Sequence, residues 1–206
     1  MTLARKTLGL RRNLKEEARR EQIKKAAIKL FSANDYNQIS LDDLAQEAGV
    51  SKALFYWYWE SKAVFFRDLI ELCMSPYLDL LQAAVDSEEP YIDKMQRLLL
   101  ESLNLFRENE KLNKVVHFCS LHTGKKPEEN FGPLVNRYYE KCMDHLETLF
   151  REGIAQGFIK KDLDAAAMSL EAMCFIEGYI YMSILGDRMP MNRALIPIFN
   201  AFIFRV

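Results

Sequence analysis

Ser40-Leu41-Asp42-Asp43-Leu44-Ala45-Gln46-Glu47-Ala48-Gly49-Val50-Ser51-Lys52 is the stretch on which the reading of the fold turns. Ser40 carries an N-cap hydroxyl, and Asp43 three residues on completes a weaker form of the capping box. Leu41, Leu44, Ala45 and Ala48 share one face of the helix this opens. Gly49 can take the positive φ that ends it, and Ser51 caps a short helix from Lys52 to Trp59. Two short helices meeting at a glycine, with small Ala45 four residues before it and large Phe55 six after, predict a helix-turn-helix. An ordinary helical hairpin fits the same residues.

Upstream, Ile23, Ala26, Ala27, Leu30 and Phe31 recur at helical spacing in a helix expected from Arg19 to Ala33, with basic residues on its other face. Downstream, Ser61 caps a fourth helix through Val64, Phe65, Leu69, Leu72 and Cys73, which Pro76 is expected to kink or end. Helices follow at Tyr91–Phe106 and Leu112–Leu121, then a loop at Thr123–Pro127. Longer helices run from Pro133 to Gln156 and from Asp164 to Leu185, closed by Gly157 and Gly186, and a last one from Arg193 to Ile203. No alternating apolar run marks a strand, and 8 Gly and 6 Pro are too few turns for an all-β chain of 206 residues. The expected class is all-α, in one domain or two small ones.

The near-neutral charge (28 Lys+Arg against 29 Asp+Glu) hides a division. Residues 1–62 hold 12 basic against 8 acidic residues, and the first 29 alone hold 10 against 3. A basic end on a near-neutral chain points to nucleic acid or to a solvated terminus. The cysteines, Cys73, Cys119, Cys142 and Cys174, form no C-x-x-C pair, and scattered thiols fit a reducing cytoplasm. Glu171 and Glu177 interrupt the most apolar segment, Ala165 to Leu185, so no membrane span is expected.

The wider pattern resembles the TetR family of one-component transcriptional regulators. The residues that carry it are Ile23-x-x-Ala26-Ala27-x-x-Leu30-Phe31, Ile39 through Ala45, Glu47 through Lys52, the aromatic run Phe55-Tyr56-Trp57-Tyr58-Trp59, and Ser61-Lys62. A looser echo runs from Glu152-Gly153-Ile154 to Leu163-Asp164. The resemblance implies a three-helix helix-turn-helix DNA-binding domain with a basic arm at 1–62, and a helical ligand-binding and dimerisation bundle at 63–206. It also implies phosphate contacts from Ser40, Leu41, Ser51, Tyr56, Tyr58 and Lys62, with Lys52, Ala53, Leu54 and Trp57 reading base edges. Departures are Ala53-Leu54, where the family commonly has Gly-Thr or Gly-Ser, Trp59 in place of Phe, and Glu60 in place of a basic residue. Trp59 is expected in the core, while five consecutive aromatics on one helix cannot all face inward.

Residues 63–206 carry no nucleophile, phosphate-loop or dinucleotide motif, and no Glu-x-x-His, so an enzyme is not expected. His117-x-Cys119-x-x-His122 invites a metal, but on one helix His117 and Cys119 point about 200° apart. No cofactor is expected. Glu101 and Glu177 are lone acids in apolar stretches, read as paired or snorkelling carboxylates or as a counter-charge for a bound cation. Asp164–Leu185 is apolar all round, which calls for cover by a second copy or for a place inside a monomer's own core, and Ala172 and Tyr179 are placed on the dimer seam. By the resemblance, a pocket for an apolar or aromatic effector lies in this bundle, with Cys73, Tyr77, Phe106, Phe118, His122, Tyr139, Met173, Glu177 and Tyr181 as lining. The reading is a homodimeric repressor that a small molecule releases from an inverted-repeat operator. An activator or ligand-blind co-regulator with the same DNA site, or a helical enzyme or carrier, are the alternatives.

Overall fold

A computed structural model of the chain describes residues 3–120 and 126–185. Every regular element among them is helical: α1 (Leu3–Phe31), α2 (Leu41–Glu47), α3 (Lys52–Tyr58), α4 (Lys62–Asp86), α5 (Tyr91–Glu108), α6 (Glu110–Ser120), α7 (Gly132–Ala155) and α8 (Ala165–Leu185). Short 3₁₀ turns stand at Tyr36–Gln38 and Pro127–Glu129. The all-α class is as read from the pattern. His122, most of the expected loop at Thr123–Pro127, and the helix expected at Arg193–Ile203 lie outside the described residues.

The first three turns follow their caps. Ser40 Oγ accepts from the Asp43 amide at 3.1 Å, and Asp43 Oδ2 accepts from the Ser40 amide at 2.8 Å, a complete capping box. Gly49, at φ 62, lets the Val50 amide reach the Ala45 carbonyl and its own amide reach Gln46. That is a Schellman closure, and the side chain of Gln22 from α1 clamps it by donating to the Ala48 carbonyl at 2.6 Å. Ser51 and Ser61 cap α3 and α4 through the Leu54 and Val64 amides.

Two boundaries differ from the expectation. Helix α1 starts at Leu3, not near Arg19, because residues 3–20 are mostly good helix formers that carry no apolar stripe to betray them. Pro76 neither ends nor divides α4, which runs through it to Asp86. Burial on both sides, by Phe65, Phe66, Leu69 and Ile70 before it and Leu81 and Ala84 after it, outweighs the one backbone bond that proline removes.

Among the described residues the helices close around two large cores and a small cluster of Leu103, Phe106 and Ile180. The first gathers Ile23, Ala27 and Phe31 of α1, Tyr36, Leu44, Phe55, Trp59 and the first half of α4. It also takes in Leu112, Val115, Val116 and Cys119 of α6, with Phe131 ahead of α7. The expected division after residue 62 thus falls inside the first turn of α4, and packing crosses it. The second core joins Leu81, Tyr91, Met95, Leu98, Cys142, Leu146, Leu149, Phe150 and Met168. Lys94, buried on α5, grips both oxygens of Glu152 on α7 at 3.0 and 2.9 Å. At Gly153 of α7 a Cβ would stand 2.5 Å from Tyr91 Cζ and 2.8 Å from Ile159 Cδ1. Gly153→Ala should therefore overpack the second core and cost about 1–3 kcal/mol, read as a lower urea midpoint with unchanged slope.

Candidate nucleic-acid interface and ligand cavity

Helix α3 is seven residues long and divides by face. Phe55 is fully buried and packs against Trp59 and Phe65 with ring centroids 5.4 and 5.3 Å away. Its opposite side projects Lys52, Ala53, Tyr56 (45% exposed) and Trp57 (61% exposed), with Leu54 and Tyr58 half-buried at the margins. Trp59 fills the core and donates from Nε1 to Asp68 Oδ2 at 2.6 Å. Among the described residues Trp57 meets only the edge-on ring of Tyr58, 4.8 Å away, and an apolar residue so large and so exposed marks a surface suited to a partner. Arg20 of α1 lies over the rings of Tyr58 and Trp59, 5.3 and 5.5 Å from their centroids, which brings the basic helix alongside α3.

The polar residues around α3 are more engaged than their sequence spacing shows. Ser40 Oγ donates to Asp43 Oδ2 at 2.6 Å, and the two bonds from Ser40 hold the Asp43 carboxyl below its usual range. Leu41 is half-buried behind that cap, and Ser51 is exposed. Lys52 pairs with Asp42 at 2.8 Å across the turn, which raises its pKa; Asp42 had no place in the sequence reading of the site. Lys62 requires a correction. Its Nζ donates to the carbonyls of Tyr36 and Ile39, each at 2.8 Å, and lies 4.0 Å from the Tyr36 ring centroid. Burial pulls its pKa down. The ammonium sews α4 to the segment before α2 through these two carbonyls in place of pointing freely outward.

Between α4, α5, α6, α7 and α8 lies a cavity of about 190 Å³. Cys73, Tyr77, Phe106, Tyr139, Met173 and Glu177 line it, as the sequence reading has them. The side chain of Phe118, like all of His122, lies outside the described residues. Tyr181 is a correction: it is 56% exposed, because each step of four on α8 turns about 40° and carries it past the rim that Glu177 occupies. Ala172 and Tyr179 are a second correction, lining the cavity in place of an outer seam. The outward side of α8 instead shows Leu170, Ile176, Tyr181 and Met182.

Polar groups collect at one end of this wall. Asn113 is buried; its Oδ1 accepts from the Cys73 thiol at 3.1 Å and its Nδ2 donates to Tyr77 Oη at 3.3 Å. His117 Nε2 stands 3.1 Å from Glu177 Oε2, out of line for a good hydrogen bond. Burial lowers the His117 pKa, but Glu177 and the Asn113 carbonyl outweigh it and leave the imidazole above its ordinary value. Burial likewise pushes the Cys73 thiol and the Tyr77 phenol up to about 12. His117 and Cys119 sit on opposite sides of α6, one at the cavity and one in the first core, so they do not converge on a metal. Among the described residues no three His, Cys, Asp or Glu side chains gather as ligands. Nor, among them, is any helix long and apolar enough to cross a membrane.

An exposed recognition helix on a basic three-helix unit, joined to a helical bundle that holds a cavity, defines a helix-turn-helix DNA-binding regulator. A family model described as bacterial regulatory proteins, tetR family, matches residues 23–69. The nucleoid occlusion factor SlmA of Vibrio vulnificus (strain YJ016) is 31% identical over 140 residues, covering 67% of this chain and 69% of that protein. Bacillus subtilis FadR, solved in complex with stearoyl-CoA, shares the fold at a TM-score of 0.72 and 19% identity, over 90% of this chain and 98% of that one. NalD, the secondary repressor of the MexAB-OprM multidrug efflux pump in Pseudomonas aeruginosa, does so at 0.73 and 20%, over 93% and 96%. The chain belongs to the tetR family of bacterial regulatory proteins.

The two kinds of residue around α3 should separate on mutation. Lys62→Ala strands two carbonyls and should cost roughly 1–3 kcal/mol in chemical denaturation. Trp57→Ala should leave stability within about 0.5 kcal/mol while changing which duplexes are selected from a random pool.

Proposed function

We propose that the protein is a homodimeric repressor whose two α3 helices enter successive major grooves of an inverted-repeat operator, and that a small apolar molecule in the cavity releases it. The observation that carries this reading is the sharing of α4 and α6 between the first core and the cavity wall. Cys73 and Met74 of α4 border both, and α6 turns Val116 and Cys119 to the first core while Asn113 and His117 face the cavity. A ligand that prefers another placement of these helices must alter the spacing of the recognition helices, which has to be about 34–36 Å on DNA. In this scheme residues 1–62 act on DNA and 63–206 on ligand and partner. Ser40, Leu41, Ser51, Tyr56 and Tyr58 meet phosphates, and Lys52, Ala53, Leu54 and Trp57 read bases. Lys62 keeps its place as the residue that positions them.

Two kinds of support bear on partner and effector. The outward apolar face of α8, with Leu170, Cys174, Gly178 and Tyr181 one helical step apart, is left uncovered by the described residues. A second copy is the cover a twofold operator calls for. NalD is a repressor, and FadR of Bacillus subtilis holds an acyl ligand; both share this fold. The cavity favours an effector-responsive regulator over a ligand-blind one.

The wild type should sediment as a dimer at micromolar concentration, and selection from genomic fragments should return an inverted repeat. Leu170→Glu and Tyr181→Glu should each lose the dimer and operator binding together. A monomeric wild type, or a tight monomeric operator complex, would contradict the scheme. Titrating apolar compounds against the selected complex tests release, and survival of the complex against all of them would remove the effector.

A further inference from the structure

The described wall of the cavity carries one carboxylate, Glu177, and one imidazole, His117, and no lysine or arginine. The protonation of this pair follows from its neighbours. His117 Nδ1 lies 2.8 Å from the Asn113 carbonyl, which can only accept, so Nδ1 carries a proton. A neutral ring would then aim the Nε2 lone pair at a carboxylate 3.1 Å away. When protonated, the ring is an imidazolium facing Glu177, and the poor alignment leaves Nε2 buried with no well-aligned acceptor among the described residues. The other titratable groups that feel Glu177 are Cys73 and Tyr77 on α4 and Tyr139 and Cys142 on α7. Burial pushes all four up, so all are neutral at ordinary pH.

We infer that the cavity selects an apolar cation, an amine or quaternary ammonium on a hydrophobic body, whose charge Glu177 receives in place of His117. This deepens the effector reading of the preceding section and rests on it. An anionic ligand would bring its charge beside Glu177 with only the already committed His117 to meet it, at a cost the dry wall magnifies. A neutral ligand fills the same volume and gains nothing from the one charged contact present. A cation gains the carboxylate and, in addition, the aromatic side chains of Tyr139, Phe106 and Tyr179 in the wall. The proton ledger closes: when the cation pairs with Glu177, the buried imidazolium loses its counter-charge and releases the Nε2 proton to solvent, keeping the one on Nδ1. One positive charge enters and one leaves. Affinity must then rise with pH up to the pKa of His117 in the free protein, by as much as tenfold for each pH step, and level off above it. The exchange also frees α6 from α8, whose pair of side chains is a direct tie between them.

The test is calorimetry on the full chain with benzyltrimethylammonium and its neutral carbon isostere neopentylbenzene, in two buffers of different ionisation enthalpy. The cation should bind about tenfold more tightly and, at acidic pH, release close to one proton per chain; the isostere should release none. Glu177→Gln should abolish the preference and the proton release while keeping the isostere's affinity. His117→Asn should keep the preference and lose its dependence on pH. Equal affinity of the two compounds in the wild type, failure of the cation to bind at millimolar concentration, or a preference that survives Glu177→Gln would overturn the inference. If the isostere alone binds and frees operator, effector release stands and cation selection falls. If the cation binds as described and operator stays bound, the opposite holds.

Discussion

Helix α6 is eleven residues long and belongs to two environments at once, and the rest of the molecule is arranged around that constraint. One side is locked by Val115, Val116 and Cys119 into the aromatic core that also holds Phe31, Tyr36 and Phe66. The other lines the cavity through Asn113 and His117. Interiors are packed as densely as organic crystals, so a helix so placed does not yield on one side without shifting on the other. Tyr36 packs edge-on against Phe66 and Phe131, with centroids 5.2 and 5.3 Å away, and its carbonyl is one of the two that hold Lys62. These rings belong to the same core as Val115, Val116 and Cys119 of α6 and Phe55 of α3.

The cavity gains its chemical character from how few polar groups it has. In a low dielectric an unpaired charge is expensive and a paired one is strongly felt, so the contact of Glu177 with His117 stands out on the otherwise largely apolar described wall. The two side chains come from different helices, α8 and α6, so the same contact is also a structural tie.

What could be read from the chain was what depends on near neighbours. Ser40, Ser51 and Ser61 as caps and Gly49 as a left-handed terminator follow from spacings of three or four residues, while the outward turn of Tyr56 and Trp57 was legible through the family resemblance. The tie of Lys62 to Tyr36 and Ile39 is not legible in the sequence, because these partners lie more than twenty residues away and are backbone atoms that leave no mark in composition. Helix α1 was cut short since its first half has propensity but no apolar period. For the cavity, six of the nine expected lining residues fell on the wall because large and sulfur-bearing side chains in a bundle mostly face inward. Tyr181 failed on a rotation of a few tens of degrees that periodicity over a helix greasy on all sides cannot fix. The His117–Glu177 contact, sixty residues apart in sequence, needed the folded chain.

The central claim is that cavity and DNA site are two ends of one mechanical element, and linkage gives it a direct test. Take an operator obtained by genomic selection and a compound that releases it, and measure the compound's affinity by calorimetry for the free dimer and for the dimer–operator complex. The account predicts weaker binding to the complex, by the same factor, of the order of 5–150-fold, by which saturating compound weakens operator affinity. Equal affinity for the free and the DNA-bound protein would contradict it.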